Sequence, residues 1–344
     1  MKTSDLLVRC LEKEGVSHIF GVPGEENADF MMSLEDSSIE FILCRHEQGA
    51  AFMAEIYGRL TGNPAGCLGT LGPGATNLLT GVADANMDHA PLLVLTGQGA
   101  TNRQHKESHQ IMDVIAMYEP VTKWAHQIVE PATVPEVVRK AIRTARREKP
   151  GAVLIELPED IAKEEIDAQP LEPVKFRRPV ADDKILNKAW DAIKSAKRPV
   201  IIAGNGAIRR RASKQLREFC EKTGIGVMGT FMGKGAVDMD ADYCLYTIGL
   251  GQRDFVVDAV EAADCVITLG YDLVEYPPQR WNSGEEKTII SFDFEPAEID
   301  QYYSPDVEVV GDIAHSIWML NQRVDSHGAP SYDLAIQKDV RARM

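Results

Sequence analysis

The sequence predicts an α/β protein built from two doubly wound, mainly parallel-sheet domains. Helical and strand-like segments alternate along both halves of the chain, the pattern of parallel sheets with helical crossovers. In the first half, three successive predicted strands end on glycine or on a polar side chain. That carboxyl edge is where open α/β sheets bind ligands. Between the halves, residues 164–183 carry three prolines and charged runs without hydrophobic period, which marks a linker. A length of 344 residues fits two domains better than one. The expected domains are residues 1–163 and 184–325, with residues 326–344 as a tail.

Taken in order, Ser4 is placed to cap a first helix with an apolar face of Leu6, Leu7, Cys10 and Leu11, and Gly15 ends it. Residues 16–20 read as a strand. The tight turn Gly21-Val22-Pro23-Gly24-Glu25-Glu26-Asn27 follows and opens a helix through Phe30, Met31 and Leu34. Residues 39–44 form the next strand, which stops on Arg45-His46-Glu47. A helix follows at once, with Ala51, Ala54, Ile56, Tyr57 and Leu60 as its apolar positions. Glu47 therefore stands where a strand ends and a helix begins. It reads either as an acid capping its own helix or as a catalytic carboxylate.

Strand 65–70 leads through Leu71-Gly72-Pro73-Gly74-Ala75-Thr76-Asn77 into a helix of small residues, and strand 91–96 ends in Gly97-Gln98. Glycines at such ends let a backbone approach a ligand closely. Thr76, Asn77 and Gln98 serve equally well as pocket residues or as turn and capping residues. Residues 99–113 are polar and rich in Gln, Asn and His, a stretch long enough to be functional. His105 and His109 have the spacing of two ligands on one helix face. No His-Glu-x-x-His pattern surrounds them, and no metal site is assigned. A helix over 133–148 with a basic exposed face and a strand over 152–157 close the first domain.

The second domain alternates again: helix 185–196, strand 199–203, helix 212–223, strand 225–230, helix 254–263, strand 265–270, strands 287–294 and 307–310, and helix 313–323. The turn Gly204-Asn205-Gly206 invites a dinucleotide reading. Arg209 stands where the third glycine would be, and strand 225–230 ends without a ribose-binding acid, so an NAD site is not favoured.

A formal net charge of -15 speaks against nucleic acid or an anionic membrane as partner. The N-terminus is an amphipathic helix interrupted by charges, unlike a signal peptide, and no run approaches the ~18–20 apolar residues of a membrane span. The six cysteines show no Cys-x-x-Cys spacing and lie in apolar segments, so reduced, buried thiols in a cytoplasmic protein are expected.

The stretches RHEQGAAFMAE (45–55), GTLGPGATNLLTGVADANMDHAPLLVLTGQ (69–98) and KPGAVLIELPEDI (149–161) resemble the pyrimidine-binding domain of thiamine diphosphate enzymes. Within that superfamily they most resemble the acetolactate synthase large subunit, over most of residues 1–320. The resemblance implies a pyrimidine-binding domain followed by a Rossmann-like central domain. It implies thiamine diphosphate and Mg²⁺ as cofactors, pyruvate as substrate, and condensation of two pyruvates to 2-acetolactate with release of CO2. Glu47 matches the glutamate that hydrogen-bonds the pyrimidine N1′. Pro23, Gly24, Thr70, Thr76 and Asn77 fall in the cofactor-binding motifs, and Gln98 and Gln110 at the reacting centre. The family's aromatic and acidic neighbours of that last glutamine are His109 and Ile111 here. Glu25 and Glu26 follow the Pro-Gly turn where the biosynthetic branch usually has another glycine.

FAD, a structural relic in some members, is left open but not favoured. Lys149 stands where FAD-binding members have arginine, and residues 270–284 resemble FAD-independent, catabolic members. The family holds Mg²⁺ with a Gly-Asp-Gly followed by Asn, whereas Gly311-Asp312 is followed here by Ile313. The Mg²⁺ ligands are therefore expected outside these residues. The chain is expected to be a truncated copy or one half of a split enzyme, inactive without a separate diphosphate-binding chain, and to form a homo-oligomer. The retained Glu47 argues against a glyoxylate carboligase, and the lack of a His-His pair against a pyruvate decarboxylase. The alternatives are another thiamine diphosphate decarboxylase or acyltransferase, or a non-catalytic subunit.

Overall fold

The computed structural model describes residues 1–175, 177–209, 212–249, 254–284 and 286–343. The chain divides into two compact units, Met1–Phe176 and Arg177–Met344. Each unit holds one six-stranded sheet, and every pair of neighbouring strands is parallel. Among the described residues, no helix is long and apolar enough to cross a membrane.

The first unit runs α1 (Thr3–Lys13), β1 (His18–Gly21), α2 (Ala28–Glu35), β2 (Glu40–Leu43), α3 (Glu47–Thr61), β3 (Ala65–Gly69), α4 (Pro73–Met87), β4 (Leu92–Gln98), α5 (Val114–Tyr118), β5 (Trp124–Gln127), α6 (Val134–Arg146), β6 (Ala152–Pro158) and α7 (Glu159–Lys163). The sheet order is β2-β1-β3-β4-β6-β5. The chain steps from β1 outward to β2 and then crosses to the other side of β1 for β3, so the direction of winding reverses between β1 and β3. Alternate residues of β4 feed two separate cores. Leu93 and Leu95 pack with α1, α2 and α6, while Leu92 and Val94 pack with α3, α4 and α5. Both faces of the sheet are thus covered, as a parallel sheet requires.

The second unit runs α8 (Asp183–Ser195), β7 (Pro199–Ala203), α9 (Asn205–Arg209), α10 (Ser213–Thr223), β8 (Val227–Gly229), β9 (Cys244–Thr247), α11 (Val256–Ala262), β10 (Cys265–Leu269), β11 (Thr288–Asp293), β12 (Val307–Val310), α12 (Ile313–His327) and α13 (Ala335–Ala342). Its order, β12-β11-β10-β7-β8-β9, reverses between β7 and β10. That is the dinucleotide-fold arrangement of two mononucleotide-type halves.

Several expectations need correction. Ser4 lies inside α1 and is fully buried, where its hydroxyl accepts a hydrogen bond from Ser33 at 2.9 Å; the first turn is instead closed by Asp5, which accepts from the Lys2 N–H at 3.1 Å. The edge strands β5 and β9 were not anticipated. All four residues of β5 are half-buried, so it shows no alternation, and the Lys140 ammonium lies 4.5 Å above the Trp124 ring. Residues 326–344 are not a loose tail through their whole length, because α13 docks on the second sheet. Its Gln337 accepts from the Gly226 N–H at 2.7 Å and donates to the Pro199 carbonyl at 2.6 Å, and its Val340 is fully buried. The expected linker is anchored at its start: Thr3 N–H donates to the Glu164 carbonyl at 2.8 Å and Ile166 N–H to the Met1 carbonyl at 2.9 Å.

The helices α3 and α4 approach closely because glycine occupies their contacts. A Cβ on Gly81 of α4 would fall 2.7 Å from the Ala51 Cβ of α3, while Gly58 lets α3 sit on the turn between α4 and β4, where a Cβ would fall 2.1 Å from the Pro91 carbonyl oxygen. In an exposed helix, Gly→Ala gains about 1 kcal/mol. Here we expect the opposite sign for Gly58→Ala, a net loss of roughly 1–3 kcal/mol from overpacking. Urea unfolding would measure it, and a stabilised variant would contradict the close approach.

Candidate functional site

The winding reversal between β1 and β3 places the loops that follow these strands side by side at the carboxyl edge of the first sheet. Glu47 stands beside them as the first residue of α3 and is buried. It does not cap its helix. His46 is the N-cap, with extended backbone and an Nδ1 that accepts from the Gln48 N–H at 3.1 Å. The Glu47 carboxylate turns instead toward α4, where its Oε2 accepts from the Asn77 side-chain amide at 3.0 Å. Among the described residues that is the hydrogen bond at this carboxylate, and it leaves Oε1 open to a further donor. A Cβ at Gly74 would sit 3.6 Å from that Oε1 and 3.0 Å from the Thr70 Cγ2, so glycine keeps the approach clear.

The remaining expected residues divide into those gathered here and those that are not. Gly24 lies against Thr70, so close that a Cβ would fall 2.6 Å from the Thr70 Cβ. The Thr70 hydroxyl donates to Glu26 Oε2 at 3.0 Å, across the reversal between the β1 and β3 loops. Pro23 is exposed on the same turn. Gln110 is exposed, has a positive φ of 55°, and packs its backbone on Gly72, whose own φ is 52°. A Cβ on Gly72 would meet the Gln110 carbonyl oxygen at 2.8 Å, so the loop carrying Gln110 rests on the start of α4. Thr76 makes a local bond, its hydroxyl donating to the Pro73 carbonyl at 3.1 Å. Thr76 thus bonds within its own turn, whereas the Asn77 amide reaches across to Glu47. His105 and His109 are exposed and lie outside any helix, so the spacing of ligands on one helix face is not realised.

Gln98 does not join this group. It is 2% exposed, and its amide is fully engaged. The nitrogen donates to the Met112 carbonyl at 3.0 Å and to Glu156 Oε1 at 3.1 Å, while the oxygen accepts from the Gly99 N–H at 3.0 Å. Glu156 also accepts from the Gln127 amide at 2.6 Å, and Gln127 in turn donates to Gln104 at 3.1 Å. Sequence reasoning missed this buried network, because its members come from β4, β5, β6 and the polar loop. It also missed Glu26 as the partner of Thr70, and Arg103, which pairs with Glu159 at 2.7 Å.

Burial pushes the Glu156 carboxyl from its ordinary 4.5 up to about 7, against the two amide donors that favour its charge, with Asp113 adding to the rise. A raised acid binds its proton more tightly in the folded state. Its contribution is therefore fully present below about pH 4.5 and is lost as pH climbs through about 7. The size is on the order of 3 kcal/mol. We expect Glu156→Gln to flatten the fall in melting temperature between pH 5 and 7.5 (roughly this window). A variant with the wild-type slope would remove Glu156 as its source.

At the reversal of the second sheet the crevice is filled from within. A Cβ on Gly206 would fall 2.6 Å from the Gly270 Cα, so the two loops touch. The buried Glu275 carboxylate accepts from the Asn205 N–H at 3.0 Å and from the Thr230 hydroxyl. A carboxylate thus holds the backbone donor at the turn where a dinucleotide fold receives phosphate.

Comparison with known proteins accords with this layout. Residues 1–117 match the model for the thiamine pyrophosphate enzyme N-terminal TPP binding domain, and residues 186–320 match that for the thiamine pyrophosphate enzyme central domain. The chain is 37% identical to an acetolactate synthase of Bacillus subtilis (strain 168) over 317 residues, 91% of this chain and 55% of that protein. It is 36% identical to a catabolic acetolactate synthase of Raoultella terrigena, over 94% of this chain and 58% of that protein. It is also 36% identical to a glyoxylate carboligase of Escherichia coli O157:H7, over 93% of this chain and 55% of that protein. The chain spans rather more than half the length of these relatives. Its two units, each a parallel sheet between helices, match two successive domains of one family in order, and the chain belongs to the thiamine pyrophosphate enzymes.

Proposed function

We propose that this chain supplies the pyrimidine-binding side of an acetolactate synthase-type active site, which joins two pyruvates to 2-acetolactate and releases CO2. The observation that carries the reading is the Glu47 carboxylate: buried at the sheet edge, fixed on Oε2 by Asn77 and open on Oε1. These residues fit the pyrimidine of thiamine diphosphate, since the open oxygen faces a glycine at position 74 and can accept an N–H from a flat ring. Thiamine diphosphate, when bound, supplies the carbanion chemistry that the reaction needs. With the cofactor bound, Glu47 would hold a proton against the ring nitrogen N1′. Asn77 holds the carboxylate through its hydrogen bond, and the Pro23-Gly24 turn and Thr70 are the residues that would line the ring. Gln110, on the loop resting against α4, would meet the substrate. Gln98 acts through that loop, holding Met112 and Glu156, rather than by touching the substrate.

The Mg²⁺ that accompanies the diphosphate does not fit this edge. Among the described residues, no group of three or more metal-ligating side chains with ligand spacing includes Glu47 or its neighbours. A partner surface supports an oligomer. Met53, Ile56 and Leu60 form one stripe along α3, exposed by 42%, 48% and 75%, on the helix that Glu47 begins. A stripe of that kind marks a surface made to be covered. Six free, buried cysteines support a reducing compartment such as the cytoplasm. The similarity to a glyoxylate carboligase offers a second reading. The retained Glu47 favours the first. Product analysis with pyruvate and with glyoxylate separates them, and preferential turnover of glyoxylate would replace the acetolactate reading.

In an assembly that turns over pyruvate, Glu47→Gln should lower kcat by about 1,000-fold or more while leaving the melting temperature unchanged. The amide fills the same space and cannot hold the proton. A loss within about tenfold, roughly 1.4 kcal/mol, would remove Glu47 from the role.

A second expectation concerns flavin. With Glu275 seated on the Asn205 N–H, the second unit favours no dinucleotide at its sheet reversal. Purified protein should lack the visible absorption band of oxidised flavin. One flavin per chain would show that the carboxylate yields its place.

A further inference from the structure

We propose that Glu55, Asp84 and Asp88 form a binding site for a hard divalent cation of the Ca²⁺ or Mn²⁺ class, clamping α3 to α4. One carboxylate oxygen from each lies within 4.8 Å of the others. Oxygens about 2.3–2.6 Å from one shared ion fall within that span. Glu55 sets this group apart from a solvated acidic patch. It lies on the third turn of α3 and is 2% exposed, its carboxylate joins the cluster, and its Oε2 is sealed from water without a hydrogen-bond partner. A buried carboxylate oxygen without a donor is costly unless a cation meets it.

The local charge balance points the same way. Arg59 pairs with Asp88 at 2.8 Å. Three carboxyl groups crowd together beside one guanidinium, a repulsion that a divalent ion relieves as it displaces any proton they share. Asp84 stands in the last turn of α4 and Asp88 at its C-cap, where the helix dipole is already negative and a cation is favoured. The ligand set is all carboxylate oxygen, which suits Ca²⁺, Mn²⁺ or Mg²⁺ over the softer metals that prefer imidazole or thiolate. Asp84 is exposed, which leaves the ion a path from solvent and room for water ligands. The site is separate from Glu47, eight residues back along α3, or about 12 Å by helix rise. The inference therefore does not rest on the proposed reaction. Its structural meaning is a clamp on the two helices whose first turns carry Glu47 and Asn77.

The test is a Mn²⁺ titration of the 344-residue chain without thiamine diphosphate, following the six-line resonance of free Mn²⁺. The wild type should remove about one Mn²⁺ per chain at sub-millimolar concentration, with Ca²⁺ competing, and should melt higher with the ion. Asp84→Asn, at an exposed position where the fold tolerates change, should weaken uptake at least about tenfold and abolish the melting shift. Glu55→Gln should do the same, and Glu47→Gln should bind as the wild type does. Absence of stoichiometric uptake, or equal uptake by wild type and Asp84→Asn, overturns the proposal.

Discussion

The hydrogen bond from Asn77 to Glu47 fixes the relation of the first turns of α3 and α4, and much of the first unit exists to make it possible. Glu47 follows β2 at the edge of the sheet, whereas Asn77 follows β3, with β1 between those strands. Their side chains meet only because the two helices lie nearly in contact, and that approach requires glycine at position 81, where a Cβ would fall 2.7 Å from the Ala51 Cβ. The small-residue composition of α4 is therefore a geometric requirement. Larger residues would hold the helices apart and leave a buried carboxylate without its donor, at a cost of about 1–3 kcal/mol or more.

The two units share one plan and use its reversal point differently. In the first, the loops after β1 and β3 meet through Thr70, Gly24 and Glu26, while Gly74 leaves one oxygen of Glu47 open. In the second, the loops after β7 and β10 touch at Gly206 and Gly270, and Glu275 takes the backbone N–H of Asn205. The same topology thus gives one edge ready for a ligand and one edge that satisfies itself. Fold alone does not decide which edge binds; the side chains at the reversal do.

What was legible in the sequence was local. The junction of a strand, a charged triplet and a helix located Glu47, and the periodicity located most central strands and long helices. Tertiary partners were not legible. Gln98 looked like a polar residue offered at a strand end, but Glu156, 58 residues away, holds it inside. Ser4 matched a capping pattern, yet burial against α2 placed it within the helix while Asp5 closed the turn. β5 and β9 escaped notice because edge strands need not alternate, and α13 because its docking depends on Gln337 meeting backbone groups over 100 residues earlier.

The buried glutamates sort by how completely their oxygens are matched. Glu156 accepts two side-chain amides, one on each oxygen, and Glu275 accepts a backbone N–H and a hydroxyl. Such saturated acids hold loops and strands in place and have little left to offer a ligand. Glu47 has one oxygen held and one open at a glycine-lined edge, and Glu55 has one oxygen sealed without any donor. An incompletely matched buried carboxylate is unfavourable on its own, and a protein that keeps one gains from whatever completes it. By that measure the two unsatisfied acids of α3 are the residues that call for an external partner. A ring N–H suits the open oxygen of Glu47, and a cation suits the Glu55 carboxylate that stands with two others.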